Sequence, residues 1–359
     1  MNIPSDYVPS VRWRMGEYQA LSRLSDQAKA RITPFVIIPE IEFDFDEWAP
    51  KKTVQEHVEP FTKRFKQKWG KRPAWIDVHP KICAKRMDNG KLPVTYVFDE
   101  LSIVGSNAVP VISLDSPPAI TAAVAATAKR DMRGVGIRVT IEDIMQPQCK
   151  GDMDTLIEGM GVNPMDADLI VDLGAPNFEP YSDFAAGLIA AMSSFGDLSV
   201  FRSYVVMGTA FPPTDGLDQP GGDLPRHDWL FFKALVSELD AGGRIPTYGD
   251  YTVVHPEFTP RDMRLIKSVG KVVYTQPESW HVRKGGAFRD NPAQMHDHCR
   301  YILESGKFRG ATFSDGDAYI ERCANKEVGP SNQPFWKQVA ISHHVMHVLE
   351  DLSKFSARA

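Results

Sequence analysis

Residues 34–40 read Pro-Phe-Val-Ile-Ile-Pro-Glu, a short run without a polar side chain that closes on a carboxylate. A continuous apolar run of this length suits a strand buried on both faces, as in a parallel sheet; a half-exposed antiparallel strand would alternate. The same design recurs. Trp75-Ile76 precedes Asp77, the run 109–114 precedes Asp115, Gly136-Ile137 precedes Arg138, 169–171 precedes Asp172, and 246–249 precedes Asp250. Six such segments describe one parallel sheet whose strands end on a charged rim.

The intervals between them carry helical spacing. Residues 7–13 read as a strand, and Leu21, Leu24, Ala28 and Ile32 then recur at the helical period before Pro34. A helix over 54–69 ends in Lys63, Arg64, Lys66 and Lys68, which reads as a solvated face near a helix C-terminus. The alternation continues with a strand at 74–78, a helix at 94–104, a strand at 109–114 and an Ala-rich helix from Pro118 to Lys129. A strand at 135–140, two short helices within 142–160, a strand at 168–173 and a helix at 181–195 follow. A strand at 202–207 leads to a long loop, 209–226, then a helix at 228–239 and a strand at 246–250. Beyond Asp250 the rhythm changes to a hairpin (271–275 and 280–283), a helix at 291–303, a strand at 309–313 and a long helix at 332–352.

Alternating strands and helices with short connections predict an α/β fold, and eight strands close a (β/α)8 TIM-like barrel. Counting from residue 7, the eighth strand is 246–250. The chain is then a barrel core over 1–250, with a C-terminal elaboration over 251–359 packed on the same single domain. Counting from Pro34 makes 309–313 the closing strand. The first count has the more even spacing.

Composition narrows function by exclusion. The 359 residues carry a net charge of −5, so nothing draws the whole chain to nucleic acid or an anionic membrane. No apolar run approaches the ~20 residues that span a bilayer. The first residues lack the basic and apolar regions of a signal peptide. Cys83, Cys149, Cys299 and Cys323 are scattered without a CxxC pair, the usage of free thiols in a reducing cytoplasm. There is no GxxxxGK[ST], no GxSxG and no DNA-binding motif, and Gly134-Val-Gly136 opens a strand rather than a helix, so it is not a dinucleotide fingerprint.

The rim is the candidate site, because barrel enzymes place their chemistry at the C-terminal ends of the strands. Its members are Arg12, Arg14, Glu40, Asp77, His79, Asp115, Arg138, Asp172 and Asp250. Converging carboxylates suit a divalent metal ion or a general acid and base. Arg12, Arg14 and Arg138 suit a phosphate or carboxylate held by paired hydrogen bonds. A ring of ion pairs that only stabilises the barrel top uses the same residues. His343 and His347 share a helix face at zinc-ligand spacing, but the zincin pattern needs Glu where His344 stands. Capping or pairing within the terminal helix is the plainer reading, and a rim role for His343 or His344 requires that helix to pack beside the last strand. The stretch Trp280-His-Val-Arg283-Lys-Gly-Gly286 suits either a lid over an anion or a solvated hairpin tip.

The chain also resembles the phage "Beta protein" family. The resemblance lies in Tyr7-Val-Pro-Ser-Val-Arg-Trp-Arg-Met-Gly-Glu17, Ala20-Leu21, and Ile32-Thr-Pro-Phe-Val-Ile-Ile-Pro39. It continues through Tyr248-Gly-Asp250, Tyr274-Thr275, Arg283 with Gly285, Gly310-Ala-Thr-Phe-Ser-Asp-Gly-Asp-Ala-Tyr-Ile320, and Trp336 with His343-His344. The family is found in phages, satellite phages and mobile elements, in loci where the Beta product counters a toxic neighbour. The resemblance therefore implies a defence or immunity module whose neighbouring gene products are partners. It supplies no reaction. By position it marks Arg14, Glu17, Asp250, Tyr274, Arg283, Ser314, Asp317, His343 and His344.

The expectation is an enzyme-like pocket for a phosphorylated or nucleotide-like substrate, worked by a hydrolase of phosphodiesterase type. Arg12, Arg14, Arg138, Tyr274, Arg283 and Asp317 would hold the ligand. Asp172 and Asp250, with Glu40, Asp77 and His343, would supply metal ligands or a general base. The alternative is a binding protein that senses a ligand or phage product, or neutralises a partner toxin.

Overall fold

The structure is a computed structural model that describes residues 6–213, 217–239, 243–257 and 267–357. Eight parallel strands form a closed barrel: Tyr7–Arg12, Phe35–Ile38, Ala74–Val78, Ala108–Ser113, Val135–Thr140, Ala167–Asp172, Ser203–Gly208 and Thr247–Asp250. Each lies beside the next in sequence. The eighth closes on the first through Tyr7 opposite Tyr248, Val8 opposite Gly249 and Pro9 opposite Asp250. The count that starts at Tyr7 is therefore the right one, and the fold is the TIM-like barrel.

The expected strand at 309–313 is a turn. Gly310 adopts a positive φ of 91°, and Phe313 N–H donates back to the Gly310 carbonyl. Arg309 donates its own N–H to the Tyr274 hydroxyl. Those bonds use backbone groups that a ladder would have needed. The expected helix over 54–69 is two helices, Val54–Val58 and Pro60–Lys68. Pro60 brings no N–H to continue the first and suits the first turn of the second.

Side-chain parity decides what each strand contributes. Val8, Phe35, Ile37, Trp75, Val109, Val111, Ile170, Val205, Met207 and Tyr251 form a separate buried cluster inside the barrel. Successive strand residues face opposite sides. Asp77 lies two beyond Trp75 and Asp172 two beyond Ile170, so both face inward. Tyr248 faces outward onto Trp229 and Phe232, and Asp250, two beyond it, also faces outward. The interior is narrow: a Cβ at Gly249 would stand 2.6 Å from the Met207 Cβ. At the opposite end of the barrel Asp168 is fully buried. It is held by Arg202 at 2.6 and 2.9 Å and by the Trp75 indole N–H at 2.7 Å, a structural pair far from the mouth.

The elaboration is a three-stranded antiparallel sheet capped by helices. Val269–Thr275 and Ser279–Ala287 form the predicted hairpin, and Gly221–Pro225 adds the third strand from what the sequence suggests is only a loop. Residues 214–216 of that loop lie outside the described residues, as do the first five of the chain. Val273, Trp280 and Val282 turn toward the barrel core. Val272 and Tyr274 turn the other way, onto helices Gln294–Glu304 and Asp315–Ala324. The long helix Gln333–Ser356 lies between this sheet and the barrel, against the first helix, Met15–Arg23. All four cysteines are free. Among the described residues no helix is long and apolar enough to cross a membrane.

Candidate functional site

At the barrel mouth four inward groups are tied together. Arg138 donates to Asp172 Oδ2 from Nε at 2.9 Å and Nη2 at 2.6 Å, and to Asp77 from Nη1 at 3.0 Å. Tyr251 adds its hydroxyl to the same Asp172 oxygen at 2.5 Å, and Asp172 Oδ1 accepts the Gly174 N–H. Burial disfavours the Arg138 charge, but Asp172 and Asp77 outweigh it and raise the guanidinium pKa. For Asp77 burial wins over Arg138, and its carboxyl is pushed up. The sequence expectation that Asp77, Arg138 and Asp172 converge is met. They converge on one another: Arg138 and Tyr251 bind Asp172 Oδ2, and Arg138 also binds Asp77 Oδ2.

Beside this knot Glu40 is almost fully buried, with His79 Nε2 at 3.7 Å from its Oε2. Burial lowers the His79 pKa although Glu40 opposes it. Arg12 is buried next to them, its backbone N–H bound to Glu17 Oε2 at 2.6 Å. Desolvation lowers its pKa from the usual arginine value, with Glu17 and Glu40 acting against that.

Glu40 also lines a cleft of about 650 Å³ that opens beside the mouth. Its walls come from the first strand–helix turn, the 40–52 segment, the helix Pro60–Lys68, the hairpin and the start of the terminal helix. Arg14, Lys51, Lys52, Arg64, Lys271 and Lys337 line it together with His57, against only Glu40 and Glu42. Trp13, Tyr18, Phe61 and Trp336 supply apolar walls. Gly16 lets the first helix meet the start of the terminal helix: a Cβ there would be 2.5 Å from the Pro334 carbonyl oxygen. Burial, with Lys337 and Lys284 nearby, lowers the Lys271 pKa to about 8. Burial also lowers that of His57, whose Nε2 lies 2.7 Å from the Pro39 carbonyl.

Asp250 and His343 are elsewhere. Asp250 is fully buried outside the barrel wall, where it accepts from the Tyr7 hydroxyl at 2.5 Å, His344 Nε2 at 2.9 Å and the Thr252 N–H at 2.8 Å. Burial would raise its pKa, but His344, Tyr7 and Thr252 together hold it below the usual carboxylate value. The Thr275 hydroxyl meets the other His344 nitrogen at 2.9 Å, and the Thr275 carbonyl accepts from His343 Nε2 at 2.8 Å. His343 Nδ1 meets Asp317 Oδ2 at 2.8 Å, so both of its ring nitrogens face acceptors. Asp317 also accepts from Tyr274 at 2.6 Å and Ser314 at 2.5 Å. This polar seam bolts the terminal helix and the hairpin to the barrel. Its groups are buried, and their hydrogen bonds run to one another.

The sequence thus joins two places into one. Arg12, Glu40, Asp77, Arg138 and Asp172 gather at the mouth, and Arg14 lines the cleft beside it. Asp250, His343, Tyr274 and Asp317 belong to the seam. Arg283 stacks over the Tyr301 ring at 3.9 Å on the far side of the hairpin, and Asp115 is exposed. Asp172 and Asp250 therefore do not form one ligand set. Among the described residues no group of three or more His, Cys, Asp or Glu is arranged to hold a metal ion. The cleft cations other than Arg14 carry no motif. Arg64 sits within a basic run that reads as a solvated face, and Lys271 and Lys337 come together only through the fold.

The sequence model of the Beta protein family matches residues 7–350. The chain belongs to the Beta protein family. The match spans the barrel, the hairpin and nearly all of the terminal helix, so cleft and seam both lie inside the Beta protein region. No curated protein matches the chain. Among solved structures it is similar to the triosephosphate isomerase from Bartonella henselae, with a TM-score of 0.36 and 12% identity over 68% of this chain and 90% of that one.

Proposed function

We propose that the protein binds a phosphoryl-bearing small molecule, nucleotide-like or phosphosugar-like, in the cleft beside the barrel mouth. The observation that carries this is the cleft's charge: six cationic side chains and a histidine face two carboxylates, in a chain whose net charge is −5. A cavity of one sign with low-dielectric walls concentrates the opposite sign. Arg14 and Arg64 suit bidentate contacts to phosphoryl oxygens, and the aromatic walls suit a sugar or base.

Hydrolysis of a bound phosphoester would need a base within reach. Glu40 fits that role, with His79 beside it, because the other mouth carboxylates are engaged by Arg138 and Asp250 faces the seam. Membership of the Beta protein family suggests the setting: a phage-defence or immunity module in a reducing cytoplasm, with neighbouring gene products as partners.

A thermal-shift panel of nucleotides, phosphosugars and divalent metals tests the reading. A ligand that binds only the folded state adds about 2.7 kcal/mol at a hundredfold excess over its dissociation constant. The expected result is a shift with phosphorylated compounds that fails in Arg64→Glu. Turnover of the binding compound, lost in Glu40→Gln, would make the protein an enzyme; binding without turnover would make it a sensor. No shift with any anion would remove the reading.

A further inference from the structure

Lys271 differs from the other cations of the cleft. It lies in the strand Val269–Thr275, where alternation with Val273 points it to the barrel side and into the cleft. Lys51 has Glu42 at 3.3 Å and Lys337 has Glu17 at 3.7 Å. The Lys271 ammonium makes no ion pair or hydrogen bond among the described residues. Its ammonium instead stands 5.9 Å from the centre of the Phe211 ring. Lys284 is its cross-strand partner, and Lys337 shares the cleft wall. Desolvation with two neighbouring cations is the setting that turns a lysine into a nucleophile, because both disfavour the protonated form. Its value of about 8 leaves a usable fraction of free amine near neutrality.

We propose that Lys271 is a covalent nucleophile that forms an imine with the carbonyl carbon of a phosphorylated aldehyde or ketone held in the cleft. The phosphate half of this statement rests on the anion-binding reading above. The Nζ lone pair attacks the carbonyl carbon, a C–N bond forms, and the C=O π electrons move to oxygen. That oxygen takes one proton from the nitrogen, giving a carbinolamine. The hydroxyl then leaves with the remaining N–H proton as water, and the C=N bond forms. One water is released per imine, and no oxidant or reductant takes part. Arg14 and Arg64 would hold the phosphate while the carbonyl end reaches the hairpin wall.

The test is site-resolved trapping on the full chain. Pyridoxal 5′-phosphate, a phosphorylated aldehyde, is added below stoichiometry at several pH values, reduced with borohydride, and the modified lysines are mapped by peptide mass spectrometry. Lys271 is expected to carry most of the adduct, at least tenfold above Lys51 or Lys52. Its rate should be half-maximal near pH 8 rather than near the ordinary lysine value of about 10.4. Lys271→Arg keeps a cation at this position and should lose that adduct while keeping the wild-type melting midpoint. Modification of Lys271 no faster than of the exposed lysines overturns the proposal, and the wild-type pH profile decides it even if the variant does not fold. The two readings fail separately. Pyrophosphate binding without Lys271 labelling overturns the nucleophile and keeps the anion site. Equal labelling of Lys271 by propionaldehyde with cyanoborohydride, unprotected by pyrophosphate, upholds the nucleophile and removes the anion site.

Discussion

Tyr251 donates its hydroxyl hydrogen to Asp172 at 2.5 Å inside the barrel, while the residue before it, Asp250, turns outward to Tyr7 and His344. Two adjacent residues at the end of the eighth strand therefore serve opposite sides of the barrel wall. Tyr251 completes the Asp77–Arg138–Asp172 knot at the mouth. Asp250 anchors the terminal helix.

The knot makes the mouth sensitive to removal of any one member. Tyr251→Phe deletes a hydrogen bond to a buried carboxylate and is expected to cost about 1.5–3 kcal/mol. Arg138→Met leaves two buried carboxylates facing each other and should cost at least the ~3–5 kcal/mol typical of a broken buried pair. Urea unfolding of the three proteins checks the order wild type, Tyr251→Phe, Arg138→Met. A stable Arg138→Met would show that the knot contributes no net stability.

Asp250 gives the seam an acid limit. Its pKa is lowered in the folded state, so the stability it contributes is present above the unfolded value of about 3.9 and is lost as pH falls through the folded value. Wild-type stability should therefore drop below about pH 4. Asp250→Asn should be less stable at pH 7, having lost its charge-assisted bonds to His344 and Tyr7, and its stability should fall less steeply over that acid range. Chemical denaturation from pH 3 to 7 reads both slopes; parallel curves would contradict the assignment.

Gly249 tests how tightly the barrel closes. A Cβ would stand 2.6 Å from the Met207 Cβ and 3.1 Å from the Val8 carbonyl oxygen, and backbone and core neither yield easily. Gly249→Ala is expected to destabilise by about 1–3 kcal/mol through overpacking. Thermal unfolding is the measurement, and an unchanged midpoint would mean that the eighth strand can shift away.

The repeating apolar runs make the barrel legible, because strands buried on both faces read as continuous apolar runs, here short and regularly separated by helical spacing. The closing strand was legible from even spacing. The segment 309–313 was not, because Gly310 sets a turn there that the apolar residues around it do not reveal. The faces of the strand ends were hidden as well. A carboxylate just past an apolar run can face either side, and a one-residue change of parity decides which. That is why Asp172 and Asp250 look equivalent in sequence and are not. The cleft was the least visible part: Arg64, Lys271 and Lys337 are far apart in the chain, and only the fold sets them along one cavity.

Titration calorimetry with pyrophosphate tests the proposal that this cavity holds a phosphoryl anion. Wild type, Arg64→Glu and Lys337→Glu would each be titrated at low and high salt. The expected result is saturable binding by the wild type that weakens as salt rises, with each reversal of charge weakening it about tenfold or more, or roughly 1.4 kcal/mol. Absence of binding by a folded wild type, or binding that both variants retain unchanged, would contradict it.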